Sequence, residues 1–77
     1  MDHELSTILA AVFNLREDEI TDASTMDNIA AWDSLKHMEM IYSVEEHFGI
    51  RLTADEIVEM TSVAAVERIL KGKGASS

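Results

Sequence analysis

Apolar side chains recur along most of the chain at the three- and four-residue spacing of one helix face, and strand-type alternation is nowhere sustained. Leu5, Ile8, Leu9, Val12 and Phe13 form the first such stripe, which predicts a helix from about His3 to Asn14 with Asp2 as its N-cap. Leu35, Met38, Ile41, Tyr42, Val44 and Phe48 form the second and are expected to be the buried side of a helix from Ser34 to Phe48. Asp33 is its expected N-cap, and Gly49 can take the left-handed conformation that ends it. Ile50-Arg51-Leu52 reads as a short extended link, after which Thr53 and Glu56 fit a capping box that opens a short helix to about Glu59 or Met60. Ser62 caps a last helix carrying Val63, Val66, Ile69 and Leu70, which Gly72 ends.

The stretch from Leu15 to Asp33 is long and irregular, with Ile20, Met26, Ile29 and Trp32 as scattered apolar anchors. Loops of this length in small domains are usually functional or held by their own side chains. This one is expected to lie over the core, with a helical turn near Met26 to Ala30. The chain contains no proline and shows no convincing strand. The expected fold is therefore all-α, a small four-helix bundle of three main helices and one short one, with the long loop between the first two. One domain is expected over residues 1–71, followed by a flexible polar tail over 72–77.

Composition narrows the chemistry. The 77 residues leave room for one modest core, 47% of them are hydrophobic, and the aromatics are two Phe, one Tyr and one Trp. With no cysteine, neither a disulfide nor a thiolate metal site can staple the fold, and any thiol must arrive on a cofactor. A formal net charge of −9 repels nucleic acid phosphates and anionic membranes and favours basic protein partners, although such a surface also simply keeps a small protein soluble. Neither nucleic-acid binding nor stable membrane association is expected, and a monomer is. Met1-Asp2-His3-Glu4 lacks the basic start and apolar block of a signal peptide, and the run from Ile8 to Phe13 is too short to span a membrane, so the expected location is cytoplasmic.

The most informative residues are Asp33-Ser34-Leu35 at the start of the second helix. Ser34 falls in the first turn, where unpaired amides and the positive end of the helix dipole favour an attached phosphate. Glu39, Glu45 and Glu46 follow at angles of about 140°, 20° and 120° from Ser34 around the axis, one broad acidic flank that Asp33 extends to the helix start. Exposed carboxylates of this kind make a fast, weak, salt-sensitive docking surface.

Asp33-Ser34-Leu35, Met38-Glu39-Met40-Ile41, Glu45-Glu46-His47-Phe48-Gly49-Ile50 and the Thr61-Ser62-Val63 entry to the last helix together resemble the acyl carrier protein family over nearly the whole chain. The resemblance implies a small helical bundle without catalysis of its own. Ser34 would carry 4′-phosphopantetheine, donated by coenzyme A through a magnesium-dependent phosphopantetheinyl transferase, and the arm's thiol would hold cargo as a thioester. It further implies an acyl-loading ligase or acyltransferase and downstream synthase enzymes with basic patches as partners. Asp33, Leu35, Met38, Glu39, Glu45 and Glu46 are the candidate docking residues, Leu35 and Met38 adding apolar contacts near the serine. Phe13, Tyr42, Val44, Phe48, Ile57 and Ile69 would either shelter a fatty chain or form a plain close-packed core.

Several positions depart from the family pattern. Lys36 stands where fatty-acid carriers usually have an acidic residue, His37 follows it, and His47 replaces an acidic residue late in the helix. Tyr42 occupies a position read as core-facing and usually aliphatic, and Trp32 adds a bulky contact expected beside the arm. These changes suggest a specialised carrier. The cargo stays open between a fatty or polyketide acyl group and an aminoacyl or peptidyl group of a natural-product or cell-envelope pathway. Ala31-Trp32-Asp33 does not match the Gly-rich lead-in of non-ribosomal carriers. An acidic helical adaptor with no prosthetic group is the reading from another class.

Other signals carry less. Asp33, Ser34 and His37 on one helix end cannot supply the acid–histidine orientation and oxyanion hole of a hydrolase triad. His3, His37 and His47 are scattered and read as exposed helix residues rather than metal ligands. Asp18, Glu19, Asp22 and Asp27 lack the spacing of a calcium loop. Met38 reads as core packing.

Overall fold

Single residues set the helix ends in this chain. The computed structural model describes residues 3–74, which form α1 (His3–Phe13), a 3₁₀ turn (Glu17–Glu19), α2 (Ser34–Phe48), α3 (Ala54–Glu59) and α4 (Val63–Gly72). After α1, Asn14 adopts φ 57° and the Leu15 amide donates back to the Ala10 carbonyl at 2.9 Å. That bond is the six-to-one closure of a Schellman motif, and asparagine is among the few residues that enter the left-handed region readily. The end of α2 repeats it, with Gly49 at φ 65° and the Ile50 amide donating to Glu45 O at 3.1 Å. A Cβ at Gly49 would meet nothing within 4 Å, so the dihedral rather than crowding calls for glycine.

The expected caps at the other ends are in place. Asp33 Oδ1 accepts from the Lys36 amide at 2.9 Å, and Ser62 Oγ accepts from the Ala65 amide at 3.1 Å. Thr53 Oγ1 accepts from the Glu56 amide at 3.2 Å while Glu56 Oε1 accepts from the Thr53 amide at 2.8 Å, a complete capping box. Asp2, the expected cap of α1, lies outside the described residues. Helix α4 includes Gly72, and Lys73 Nζ reaches Glu56 Oε1 at 2.9 Å, so the start of the segment expected as a tail is tied to the start of α3. Residues 75–77 lie outside the described part.

The core is built from Leu5, Leu9 and Phe13 of α1, Met40, Ile41 and Val44 of α2, and Val63, Val66 and Leu70 of α4, each at 2% exposure or less. Burial of each such side chain stabilises by about 1.5–3 kcal/mol. Helix α3 buries no residue fully and leans on the bundle through half-buried Ile57. No strand occurs among the described residues, and the all-helical bundle with a long loop between α1 and α2 agrees with the sequence reading.

That loop is ordered. Ile20, Ile29 and Trp32 are buried in the core and Met26 packs against it. The helical turn expected near Met26 to Ala30 is present as a single turn over residues 26–28: the amides of Asn28 and Ile29 both donate to Thr25 O, at 3.2 and 3.0 Å, and Asn28 Oδ1 accepts from Thr25 N at 2.8 Å. Two backbone bonds then stitch the loop to the entry of α4: Met26 N to Thr61 O at 2.8 Å and Val63 N to Ser24 O at 3.0 Å. They flank an isolated antiparallel bridge between Thr25 and Ser62.

The face of α2 is turned from the one expected. Its buried residues are His37, Met40, Ile41 and Val44, whereas Leu35, Tyr42 and Met38 are 69%, 68% and 52% exposed. Two apolar stripes share this helix, 37/40/41/44/48 and 35/38/42, both at helical spacing. The expected face mixed them, because the inner stripe opens with a histidine that a hydrophobicity count treats as polar.

Candidate functional site

Ser34 is the first helical residue of α2 and is exposed. Asp33 is extended, at φ −100° and ψ −175°, and its carboxylate engages the Lys36 amide while its carbonyl accepts from His37 N at 2.8 Å. The amides of Ser34 and Leu35 find no acceptor among the described residues. Two free donors and the positive helix end therefore surround an accessible hydroxyl. A phosphodiester on Ser34 Oγ fits this setting: its charge meets unpaired N–H groups at an exposed position.

Behind the serine, the turn is braced from inside. The Trp32 indole N–H donates to His37 Nδ1 at 3.0 Å, and the other ring nitrogen, Nε2, lies 2.8 Å from Ile57 O on α3. Trp32 is 2% exposed, with its ring centroid 4.9 Å from that of Phe13. An indole can only donate and a carbonyl can only accept, so His37 fits as the neutral ring with its proton on Nε2. His37 differs from expectation, being buried rather than exposed, while Trp32 is buried as one of the loop's expected anchors and does not line the surface beside the serine. No local signal announces this pairing, because Ile57 lies twenty residues from His37 in sequence.

The candidate docking residues divide into groups. Asp33, Leu35, Met38, Glu39 and Glu46 are exposed around Ser34 and along α2. Glu39 is paired with Lys36 Nζ at 3.0 Å, which reduces the negative field near the serine. Glu45 is half-buried, and its Oε2 accepts from the Leu52 amide at 2.9 Å, so it also holds the link between α2 and α3. The remaining histidines sit on the surface as expected: His47 Nε2 lies 2.9 Å from Glu4 Oε2 and His3 Nδ1 lies 3.3 Å from Glu17 Oε1. Met38 and Tyr42, both read as core residues, are outside it. No helix among the described residues is long and apolar enough to cross a membrane.

Comparison with known proteins identifies the family. The family model described as a phosphopantetheine attachment site matches residues 3–70. A curated relative, the acyl carrier protein of Buchnera aphidicola subsp. Baizongia pistaciae (strain Bp), is 32% identical over 71 residues, spanning 92% of this chain and 91% of the relative. Among solved structures, the solution NMR structure of holo acyl carrier protein from Geobacter metallireducens superposes with a TM-score of 0.82 at 30% identity, over 94% of this chain and 83% of that one. The chain belongs to the phosphopantetheine attachment-site family. Within that family it is an acyl carrier and not an enzyme, and its cofactor is 4′-phosphopantetheine.

Proposed function

We propose that Ser34 is the attachment point and that the chain presents its cargo to partner enzymes from the N-terminal end of α2. The observation that carries this reading is an exposed serine hydroxyl beside two unpaired helix amides. When attached, the prosthetic group supplies a terminal thiol that holds an acyl group as a thioester. The chain's own residues do the rest. Asp33 fixes the first turn, the Trp32–His37 brace holds that turn against α3, and the amides of Ser34 and Leu35 face the phosphate.

Glu39, Glu45 and Glu46 with Asp33 form the surface that basic patches on a phosphopantetheinyl transferase, an acyl-loading ligase or acyltransferase and synthase enzymes would meet. Leu35 and Met38 add apolar contact next to the serine. Charges of this sort raise association rates more than they deepen affinity, which suits a carrier that must leave each partner. The chain works as a monomer in the cytoplasm, serving fatty-acid, polyketide or related acyl transfer.

Intact mass after incubation with coenzyme A, magnesium and a promiscuous phosphopantetheinyl transferase tests the attachment point. The wild type gains one phosphopantetheine and Ser34→Ala gains none. A folded wild type that stays unmodified beside a modified control carrier overturns the assignment.

A further inference from the structure

Of the four carboxylates on the candidate docking surface, three are engaged within the chain. Asp33 Oδ1 accepts from the Lys36 amide at 2.9 Å, and Glu45 Oε2 accepts from the Leu52 amide at 2.9 Å. Glu39 Oε2 meets the Lys36 ammonium at 3.0 Å. The Glu46 side chain is exposed and has no ion-pair or hydrogen-bond partner among the described residues.

The two ends of the flank therefore differ in charge. Lys36 is the only lysine or arginine of α2, and it stands two positions from Ser34. Its side chain and that of Glu39 are 39% and 49% exposed, so an approaching surface meets a cation and an anion side by side. The fields of such a pair largely cancel at longer range, whereas an unpaired carboxylate acts at full strength out to the screening length. At 1.5 Å per residue, Glu46 lies about 18 Å along the axis from Ser34.

We propose that Lys36 is a specificity-determining residue of this surface. It opposes docking to a basic patch that runs unbroken up to the place where Ser34 enters, and it leaves Glu46 as the charge that anchors a basic partner. The inference rests on attachment at Ser34 and on the reading of α2 as a face for basic partners. A patch of lysines and arginines reaching the serine would set cations against the Lys36 ammonium, and like charges in contact disfavour the complex. A patch set back toward Glu46 avoids that contact and keeps the attraction. Lys36 thus selects by discouraging the wrong partner.

The probe is a phosphopantetheinyl transferase whose basic carrier-binding face extends to its active-site entrance, supplied with coenzyme A and magnesium at low salt. Lys36→Gln should lower the KM for the carrier and raise kcat/KM by about threefold, and Lys36→Glu should raise it by about tenfold, with kcat nearly unchanged. Both gains should shrink as salt is added. Thermal melts should barely move, because exposed ion pairs of this kind contribute little to stability. Glu46→Gln should lower kcat/KM by about threefold in the same assay. No gain from either Lys36 variant, a gain confined to kcat, or a gain insensitive to salt would each overturn the proposal. A wild-type value for Glu46→Gln would overturn the docking reading beneath it. Failure of every form to be modified would overturn the attachment reading instead, and the proposal falls with either.

Discussion

The Trp32 indole N–H donates to Nδ1 of His37 across 3.0 Å in the buried space behind Ser34. Through Nε2 the same ring reaches Ile57 O at 2.8 Å, so one imidazole connects the end of the long loop, the first turn of α2 and the far end of α3. The exposed serine is accurate in position because its neighbours on the inner side are fixed.

Replacing His37 by leucine keeps bulk but leaves the indole N–H without a partner and the Ile57 carbonyl with the Met60 amide alone, at 3.3 Å. An unsatisfied buried donor costs about 1–3 kcal/mol, so His37→Leu is expected to destabilise by about that amount in urea unfolding. In the wild type, long-range ¹H–¹⁵N correlations should show the proton on Nε2 and a bare Nδ1. The opposite tautomer would contradict the hydrogen-bond pattern.

Asp33 contributes to helix stability through its cap bond from the Lys36 amide. Asp33→Ala should cost about 1 kcal/mol by exposing the Lys36 amide, and Asp33→Asn should recover most of it, because an amide oxygen caps as well as a carboxylate. If both variants lost the same amount, charge rather than the cap bond would be the source.

Two carboxylates drive stability in opposite directions with pH. Burial, reinforced by the adjacent Asp22 carboxyl, raises Glu67 above the ordinary carboxylate value. Its contribution is therefore full below the unfolded-state value and is lost as pH rises through the folded one. Glu67→Gln should stabilise at neutral pH, by less than about 1 kcal/mol once solvent screening is allowed for, with the gain vanishing in acid. Glu56 is lowered, first by its bond from the Thr53 amide and then by Lys73. Its contribution is present above the ordinary value and is lost as pH falls through the lowered one. Glu56→Gln should therefore flatten the acid side of the stability profile, and thermal melts of both variants across the acid range would show the two slopes.

Glu45 and Glu46 are neighbours with different duties. Glu46→Lys should slow association with a basic partner by about tenfold at low salt and leave the melting temperature nearly unchanged. Glu45→Lys should slow association too, and it should also destabilise by about 1 kcal/mol through the lost bond from Leu52 N. Stopped-flow binding at two salt concentrations, paired with thermal melts, separates the effects.

The helix ends were legible because their signals are local: Asp33, Thr53 with Glu56, Ser62 and Gly49 each act within four residues. Ser34 was legible for the same reason, its place in a first turn following from the residue before it. The orientation of α2 was not, since Leu35, Met38 and Tyr42 are as apolar and as regularly spaced as the residues that pack inward. The inner stripe opens with a histidine bonded to a carbonyl on another helix, which periodicity does not carry. The 3₁₀ turn at Glu17–Glu19 was likewise unannounced, closed by the Arg16 amide on the Glu19 carboxylate at 2.9 Å.

The stitch between Ser24–Met26 and Thr61–Val63 has a consequence for how the molecule opens. Helix α4 cannot peel away without cutting both bonds and releasing the loop, and the loop cannot lift while α4 stays docked. Segments some forty residues apart thereby become one cooperative unit. Motions that leave this unit whole must then arise in the parts of the chain outside it.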